Sequence, residues 1–237
     1  MQEKWRVIET IETNGSRQMA IDEAILSKAE VPTLRFYTWN PPCVSLGIFQ
    51  DVSKEVNVLN LAGVDLVRRY TGGGVVYHDK EITYSVCVPE NVVGKDIVAS
   101  YKKICNALIK GLGKIGVKAE FKPINDILVD GRKISGNAQT RKNGWVLQHG
   151  TILLEADFEK ISSLLNIPKE KLRNMENPLI GLRDLGVNLG VGEIRDKFLE
   201  GFQEEFGFEY YEDGLNNQEL VDKLLKKYEV EDEKRNL

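Results

Sequence analysis

Three adjacent glycines, Gly72, Gly73 and Gly74, follow an arginine pair, Arg68-Arg69 with Tyr70-Thr71, and precede Val75-Val76-Tyr77-His78-Asp79. A bend without Cβ atoms lets backbone amides approach a ligand closely, and positive φ angles cost it little. The arginines before it offer fixed positive charge to phosphate oxygens. The chemistry that fits is binding of a nucleotide or an acyl phosphate. No Gly-Lys-Ser/Thr follows, which excludes a P-loop. Val75-Val76-Tyr77 reads as strand, which excludes a dinucleotide fingerprint opening a helix. A flexible turn beside a solvated arginine pair is the competing reading.

A second cluster runs from Asn125 to Gly136. Asp130-Gly131 between two strand-like runs signals a two-residue type I′ turn. That register sets Val129 opposite Arg132, Leu128 opposite Lys133, Ile127 opposite Ile134 and Asp126 opposite Ser135. Ile127, Val129 and Ile134 then face a core, and Asp126, Leu128, Lys133 and Ser135 face away from it. An acid and a lysine thus share one side of a hairpin. Lys133 can stabilise charge developing on a phosphate or carboxylate oxygen. Asp126 can hold Mg2+ beside the same phosphates. An ordinary exposed ion pair remains the alternative.

These clusters need a scaffold. Thr33–Trp39, Val44–Phe49, Val64–Arg69, Ile82–Val88, Ile127–Val129 and Thr151–Leu154 read as strands between Gly, Pro or Asp breaks. Ile82, Tyr84, Val86 and Val88 alternate with Thr83, Ser85 and Cys87, the pattern of a strand with one face in a core. Helices are predicted over 16–29 with Ser16 as N-cap, 97–115, a stretch capped by Asp157, 193–206 and about 217–228. Ile194, Phe198, Phe202 and Phe206 form one stripe. Strands and helices joined by short hairpins predict an α+β layer architecture rather than a doubly wound sheet. The charged tail, Glu229–Leu237, is expected to fray.

The 237 residues fit one domain. A net charge of −4 excludes a general nucleic-acid binder. The polar start and the lack of any apolar run of about 20 residues predict no membrane span and a cytoplasmic protein. Cys43, Cys87 and Cys105 are odd in number and widely spaced, forming neither a zinc pattern nor a disulfide framework.

Taken together and in this order, the two clusters resemble the lipoate–protein ligase family. Its catalytic domain carries Arg-Arg-x-x-Gly-Gly-Gly-x-Val-x-His-Asp, met here from Arg68 to Asp79. It also carries Asn-Asp followed by Gly-x-Lys-Ile-x-Gly-x-Ala, met at Asn125-Asp126 and Gly131 to Ala138. Further matches are Met19-Ala20-Ile21-Asp22-Glu23, Leu34-Arg35-Phe36-Tyr37 and His149-Gly150-Thr151-Ile152-Leu153-Leu154. The resemblance implies a fold of mixed, largely antiparallel sheets with packed helices, as in class II aminoacyl-tRNA synthetases and biotin–lipoate ligases. Residues 1–210 would form the catalytic domain and 211–237 a short helical extension.

It also implies an activity. ATP and lipoate (or octanoate) would give an acyl-adenylate, which a lysine on a carrier domain attacks, releasing AMP. The carrier would be a lipoyl domain of a 2-oxo-acid dehydrogenase or a glycine-cleavage protein. Lys133 would be the essential residue, at the carboxylate and α-phosphate, and Arg69 would hold phosphate or carboxylate oxygens. Arg68, Gly72, Gly73, Gly74, Val75, Val76, Tyr77, Ser135, Gly136 and Ala138 would complete the ATP and acyl-adenylate site. Asn125 and Asp126 would sit near the α-phosphate and Mg2+. His78 and His149 would line the acyl pocket or brace the loop.

The closest alternative is an octanoyltransferase of the same fold, moving octanoate from acyl carrier protein through a cysteine thioester. In the cysteine-dependent enzymes that most resemble the ligases, the nucleophile lies a few residues before the lysine hairpin. Here that region, Glu120-Phe121-Lys122-Pro123-Ile124-Asn125-Asp126, has no cysteine. Cys105 falls on the apolar side of a helix, whereas Cys87 falls on the Thr83/Ser85 side of its strand and could approach the site. A biotin–protein ligase ranks lower because its glycine loop differs. A non-catalytic lipoyl-domain-binding homologue is the alternative of another class, and the intact Arg68, Arg69 and Lys133 argue against it. Many ligases carry an additional C-terminal domain. The Trp usual in the terminal segment is absent here, which resembles two-part ligases whose accessory subunit is a separate protein.

Overall fold

The computed structural model describes residues 4–167, 178–215 and 217–228; the tail expected to fray lies outside them. In chain order the elements are β1 (Lys4–Thr13), α1 (Gly15–Ser27), β2 (Thr33–Trp39), β3 (Cys43–Leu46), α2 (Val52–Glu55), β4 (Asp65–Arg68), β5 (Val76–His78) and β6 (Glu81–Pro89). There follow α3 (Glu90–Val93), α4 (Ile97–Lys114), β7 (Glu120–Lys122), β8 (Asp126–Val129), β9 (Arg132–Lys142) and β10 (Trp145–Leu153). The last are α5 (Phe158–Leu164), α6 (Val191–Phe206), β11 (Glu209–Asp213) and α7 (Gln218–Tyr228).

Eight strands form one sheet in the order β11-β1-β2-β6-β10-β9-β8-β7, and β4-β3-β5 form a second. Among the described strands, only β1 with its two neighbours and β3 with β4 pair in parallel; the other ladders are antiparallel. The α+β expectation holds.

Period-two alternation decides what each face of the large sheet does. Leu34, Phe36, Ile82, Tyr84, Val86 and Val88 pack with Ile104 and Leu108 of α4 and with Ile194, Phe198 and Phe202 of α6. Of the stripe on α6, Ile194, Phe198 and Phe202 are buried as expected, and Phe206 packs partly buried against the same core. The opposite face is covered as well: Tyr37, Cys87 and Leu147 pack under α1 and against Val221 and Tyr228 of α7. The expectation that β6 has one face in a core is too narrow, since Glu81 to Val88 are all buried between two helical layers.

The N-cap of α1 also differs from the expectation. Asn14, not Ser16, accepts the Arg17 amide at 2.9 Å. Ser16 is already in the first turn.

Candidate active site

Along the α1 face of the large sheet, register builds a polar row. His149 on β10 lies opposite Ser85 on β6, which lies opposite Arg35 on β2; one step along, Thr151, Thr83 and Tyr37 align. Ala138 on β9 stands opposite His149. Beyond the end of α1 the small sheet closes over this row. The two enclose a cleft of about 130 Å³ lined by Met19, Tyr37, Trp39, Thr83, His149 and Thr151, and by Gly73–Val76, Asn125, Lys133, Gly136 and Ala138.

The glycine loop forms one wall. Of its three glycines only Gly73 has a positive φ, +92°. Arg69 is buried beneath it and spends all five N–H donors there. Nε donates to Thr71 Oγ1 (3.1 Å), Nη1 to the carbonyl and hydroxyl of Ser45 (3.0 and 3.2 Å), and Nη2 to the carbonyls of Gly72 and Gly74 (2.7 Å each). Burial pulls the guanidinium down to about 10. Arg69, expected to grip ligand oxygens, lines the cleft with its guanidinium already occupied by loop and strand oxygens. Arg68 bonds the carbonyls of Gly47 and Gln50 and does not line the cleft.

The histidines sit deeper. His78 stacks on Trp39 with ring centroids 4.0 Å apart. Its Nδ1 meets Glu81 Oε1 at 2.7 Å and its Nε2 meets Ser45 Oγ at 2.8 Å. His149 Nδ1 meets Asp22 Oδ2 at 2.9 Å and Nε2 meets Thr71 Oγ1 at 2.7 Å. Burial lowers the His149 pKa, and Arg35 with His149 holds Asp22 low against its own desolvation.

The hairpin forms the other wall. Asp130 and Gly131 both have positive φ, as a type I′ turn requires. Val129 pairs with Arg132 and Leu128 with Lys133, as the register predicts. A bulge then shifts the ladder, so that Ile127 faces Ser135 and Asp126 faces Gly136. The shift matters. Lys133 Nζ reaches Asp126 Oδ1 at 2.7 Å, crossing Gly136, where a Cβ would stand 2.7 Å from both Cε and Nζ. Ser135, expected beside Lys133, is instead buried, accepting from Asn137 Nδ2. Asn125 and Asn137 clasp each other through side chain and carbonyl in both directions, fixing the hairpin's open end.

The cleft therefore gathers Arg69, Lys133, Asn125, Gly136, Ala138, Gly73, Gly74, Val75, Val76, His78 and His149 from the expected set. Arg68, Gly72, Tyr77, Asp126 and Ser135 stand behind its lining, with Tyr77 packed in the core of the small sheet. Sequence reasoning missed Asp22, Trp39, Ser45, Thr71, Glu81 and Asn137 as site residues; their type and spacing carry no local signal, and the Met19–Glu23 resemblance that contains Asp22 gives it no role.

Among the described residues no group of three or more His, Cys, Asp or Glu side chains could hold a metal. A Mg2+ here would rest on Asp126 and Asn125 with phosphate oxygens supplying the rest, which suits that ion's habit. All three cysteines are buried and none lines the cleft. Burial pushes the thiols of Cys87 and Cys105 up to about 12. Cys87 does lie on the site's face of β6, but α1 covers it.

Residues 14–203 match the family model of the lipoyl protein ligase A/B catalytic domain. A protein of Kyrpidia tusciae named octanoyltransferase LipM is 36% identical, covering 94% of this chain and 96% of its own. The LipM of Clostridioides difficile is 32% identical over 97% of both. Among solved structures, the bi-partite lipoate protein ligase of Thermoplasma acidophilum superposes with a TM-score of 0.85 at 29% identity, covering 95% of this chain and 93% of that one. A lipoate-protein ligase A bound with ATP gives 0.82 at 28%, covering 96% and 95%.

Proposed function

The chain belongs to the lipoyl protein ligase A/B family, and from that premise we propose that it activates lipoate or octanoate with ATP and passes the acyl group to a lysine of a lipoyl domain. Acyl attachment to lipoyl domains is the family's business; the donor is the open choice. The observation that carries the ATP-dependent reading is the cleft's lining: a lysine and a glycine-rich backbone, without a cysteine. A thioester route needs a thiolate that can reach the substrate. Three buried thiols, two of them held well above neutrality, do not supply one.

In this reading the adenylate supplies the leaving group and the protein supplies position. Lys133 swings from Asp126 to the carboxylate and α-phosphate oxygens, where a cation lowers the charge of the transition state. The glycine-loop backbone takes the nucleotide side, and the Trp39–His78 end takes the acyl chain. Bound Mg2+, with Asp126 as one ligand, would shield phosphate charge. The partner is a lipoyl domain, and the Thermoplasma likeness, bi-partite by name, supports a separate accessory chain.

The names of the curated relatives favour a second reading, transfer of octanoate from acyl carrier protein. One experiment separates the two. The purified protein, with and without an accessory chain, is given a lipoyl domain and either ATP with the free acid or octanoyl-acyl carrier protein without ATP. Pyrophosphate release and lipoyl-domain acylation in the first arm, surviving single Cys→Ala replacements, support the ligase. Acylation confined to the second arm sinks it.

A further inference from the structure

Two hydrogen-bonded chains of the same design end on one guanidinium. Asp22 bonds His149, which bonds Thr71, which accepts from Arg69 Nε. Glu81 bonds His78, which bonds Ser45, which accepts from Arg69 Nη1. Each carboxylate comes from a different element and each is at least nine-tenths buried.

The direction of every bond is forced. A carboxylate only accepts, so each imidazole carries its proton on Nδ1. A neutral ring then has a bare Nε2, which accepts the hydroxyl proton and leaves the hydroxyl oxygen to accept from Arg69. A second ring proton would turn Nε2 into a donor toward an oxygen already serving the guanidinium, and would strand the hydroxyl's own hydrogen in a buried site.

A carboxylate–imidazole–hydroxyl series is also the signature of a nucleophile awaiting activation. The duplication argues otherwise. Thr71 repeats the series without lining the cleft, and what the two series share is Arg69, whose remaining donors draw the carbonyls of Gly72 and Gly74 inward.

We propose that Asp22 and Glu81 are positioning residues for the glycine loop, acting through the tautomers of His149 and His78 to hold Arg69, and through it the loop, in binding geometry. This deepens the assignment of the loop as the nucleotide and acyl-phosphate wall and rests on it. An amide in place of either carboxylate can donate to Nδ1, so it releases the opposite tautomer; Nε2 then donates to a hydroxyl oxygen that must accept from ring and guanidinium together, which strands the hydroxyl hydrogen and loosens the hold on Arg69.

The chain has only two histidines, so ¹⁵N spectra of the imidazoles resolve both rings. The wild type should show both as neutral Nδ1–H tautomers at pH 7.5, Asp22→Asn should change His149 alone, and Glu81→Gln should change His78 alone. In acyl transfer each variant should lose kcat/KM about tenfold through a raised KM. Thr71→Val should match Asp22→Asn, and the double variant should be no worse than either, since both cut one series. Ser45→Ala gives the parallel arm should a carboxylate variant fail to fold.

Nε2–H tautomers or charged rings in the wild type would overturn the proposal. So would multiplying losses within one series, or an acyl adduct on Ser45 by mass spectrometry during turnover. Wild-type protein with the expected tautomers but no acyl transfer would instead sink the functional reading and leave the relay standing.

Discussion

The two walls of the cleft are built in opposite ways. Arg69, beneath the glycine loop, is 5% exposed and has every donor engaged with the loop and its supports. The Lys133 side chain, on the hairpin, is 39% exposed and rests on the half-open carboxylate of Asp126. One cation is structural cement and the other is parked. Preorganised dipoles are effective because they need no rearrangement when charge develops. A cation that must meet a substrate and then release a product has to be free to leave its resting partner. The difference predicts that damage to the hairpin shows in rate, and damage to the loop wall in stability and substrate binding.

The largest effect is expected from Lys133→Ala. Loss of a group that stabilises transition-state charge typically costs ~10²–10³-fold in rate. The Lys133–Asp126 pair is partly solvated, so its removal should change stability by no more than about 1 kcal/mol. Single-turnover acyl transfer and thermal melting of the same sample check both halves. Wild-type rate in this variant would end the comparison.

Gly136→Ala sharpens it. The new methyl would collide with Lys133 Cε and Nζ, displacing the amine by about an ångström, a shift that can cost on the order of 10²-fold. The lysine is still present and its charge unchanged. A rate loss here, with KM for ATP little altered and folding intact, would assign the effect to position rather than to charge.

Arg69→Met reverses the pattern. It removes the donor to the buried carbonyl of Ser45 and to the partly exposed carbonyls of Gly72 and Gly74, and a buried unsatisfied group costs about 1–3 kcal/mol. Urea unfolding should lose about 1–3 kcal/mol even before activity is measured. A variant as stable as wild type would show that the loop does not depend on its cation.

These two walls were not equally legible. The hairpin is a local object: Asp130-Gly131 dictates its turn, and the pairing of Leu128 with Lys133 follows by counting. The bulge after Lys133 could not be counted, because β9 changes partners along its length. The backbone of Lys133 bonds Pro178 and Ile180, whereas from Asn137 onward the strand pairs with β10. An extra residue fits where partners change, and Pro178 is distant in sequence. The glycine loop was visible as composition, but the use of Arg69 was not. Its ligands come from β3 and from the loop itself, and the carboxylates behind them from α1 and β6; nothing in the spacing of residues 22, 45, 71, 81 and 149 joins them. The resemblance carried both histidines to the site without giving their partners, and it assigned no role to Asp22. Helix periodicity succeeded on α4 and α6, where one packed face sets the pattern, and the alternation of β6 misled because both its faces are buried.

The smallest effect is one of pH, and it belongs to the dry wall alone. Burial depresses the pKa of His149 below its ordinary 6.5. Between that folded-state value and 6.5 the unfolded chain binds a proton that the folded chain refuses, so stability falls as pH drops below about 6.5. Asp22, held below 3.8, adds stability that is complete above 3.8 and is lost only as pH falls through its folded value. Mild acid therefore reads His149 first. Melting temperature should decline gently from pH 7 to pH 5 in the wild type. His149→Asn, which does not titrate, should start lower and show a shallower decline. Gly136→Ala, on the open wall, should keep the wild-type slope. If all three curves run parallel, the imbalance between the walls has no thermodynamic counterpart in His149, and the buried relay must be held by something other than a neutral ring.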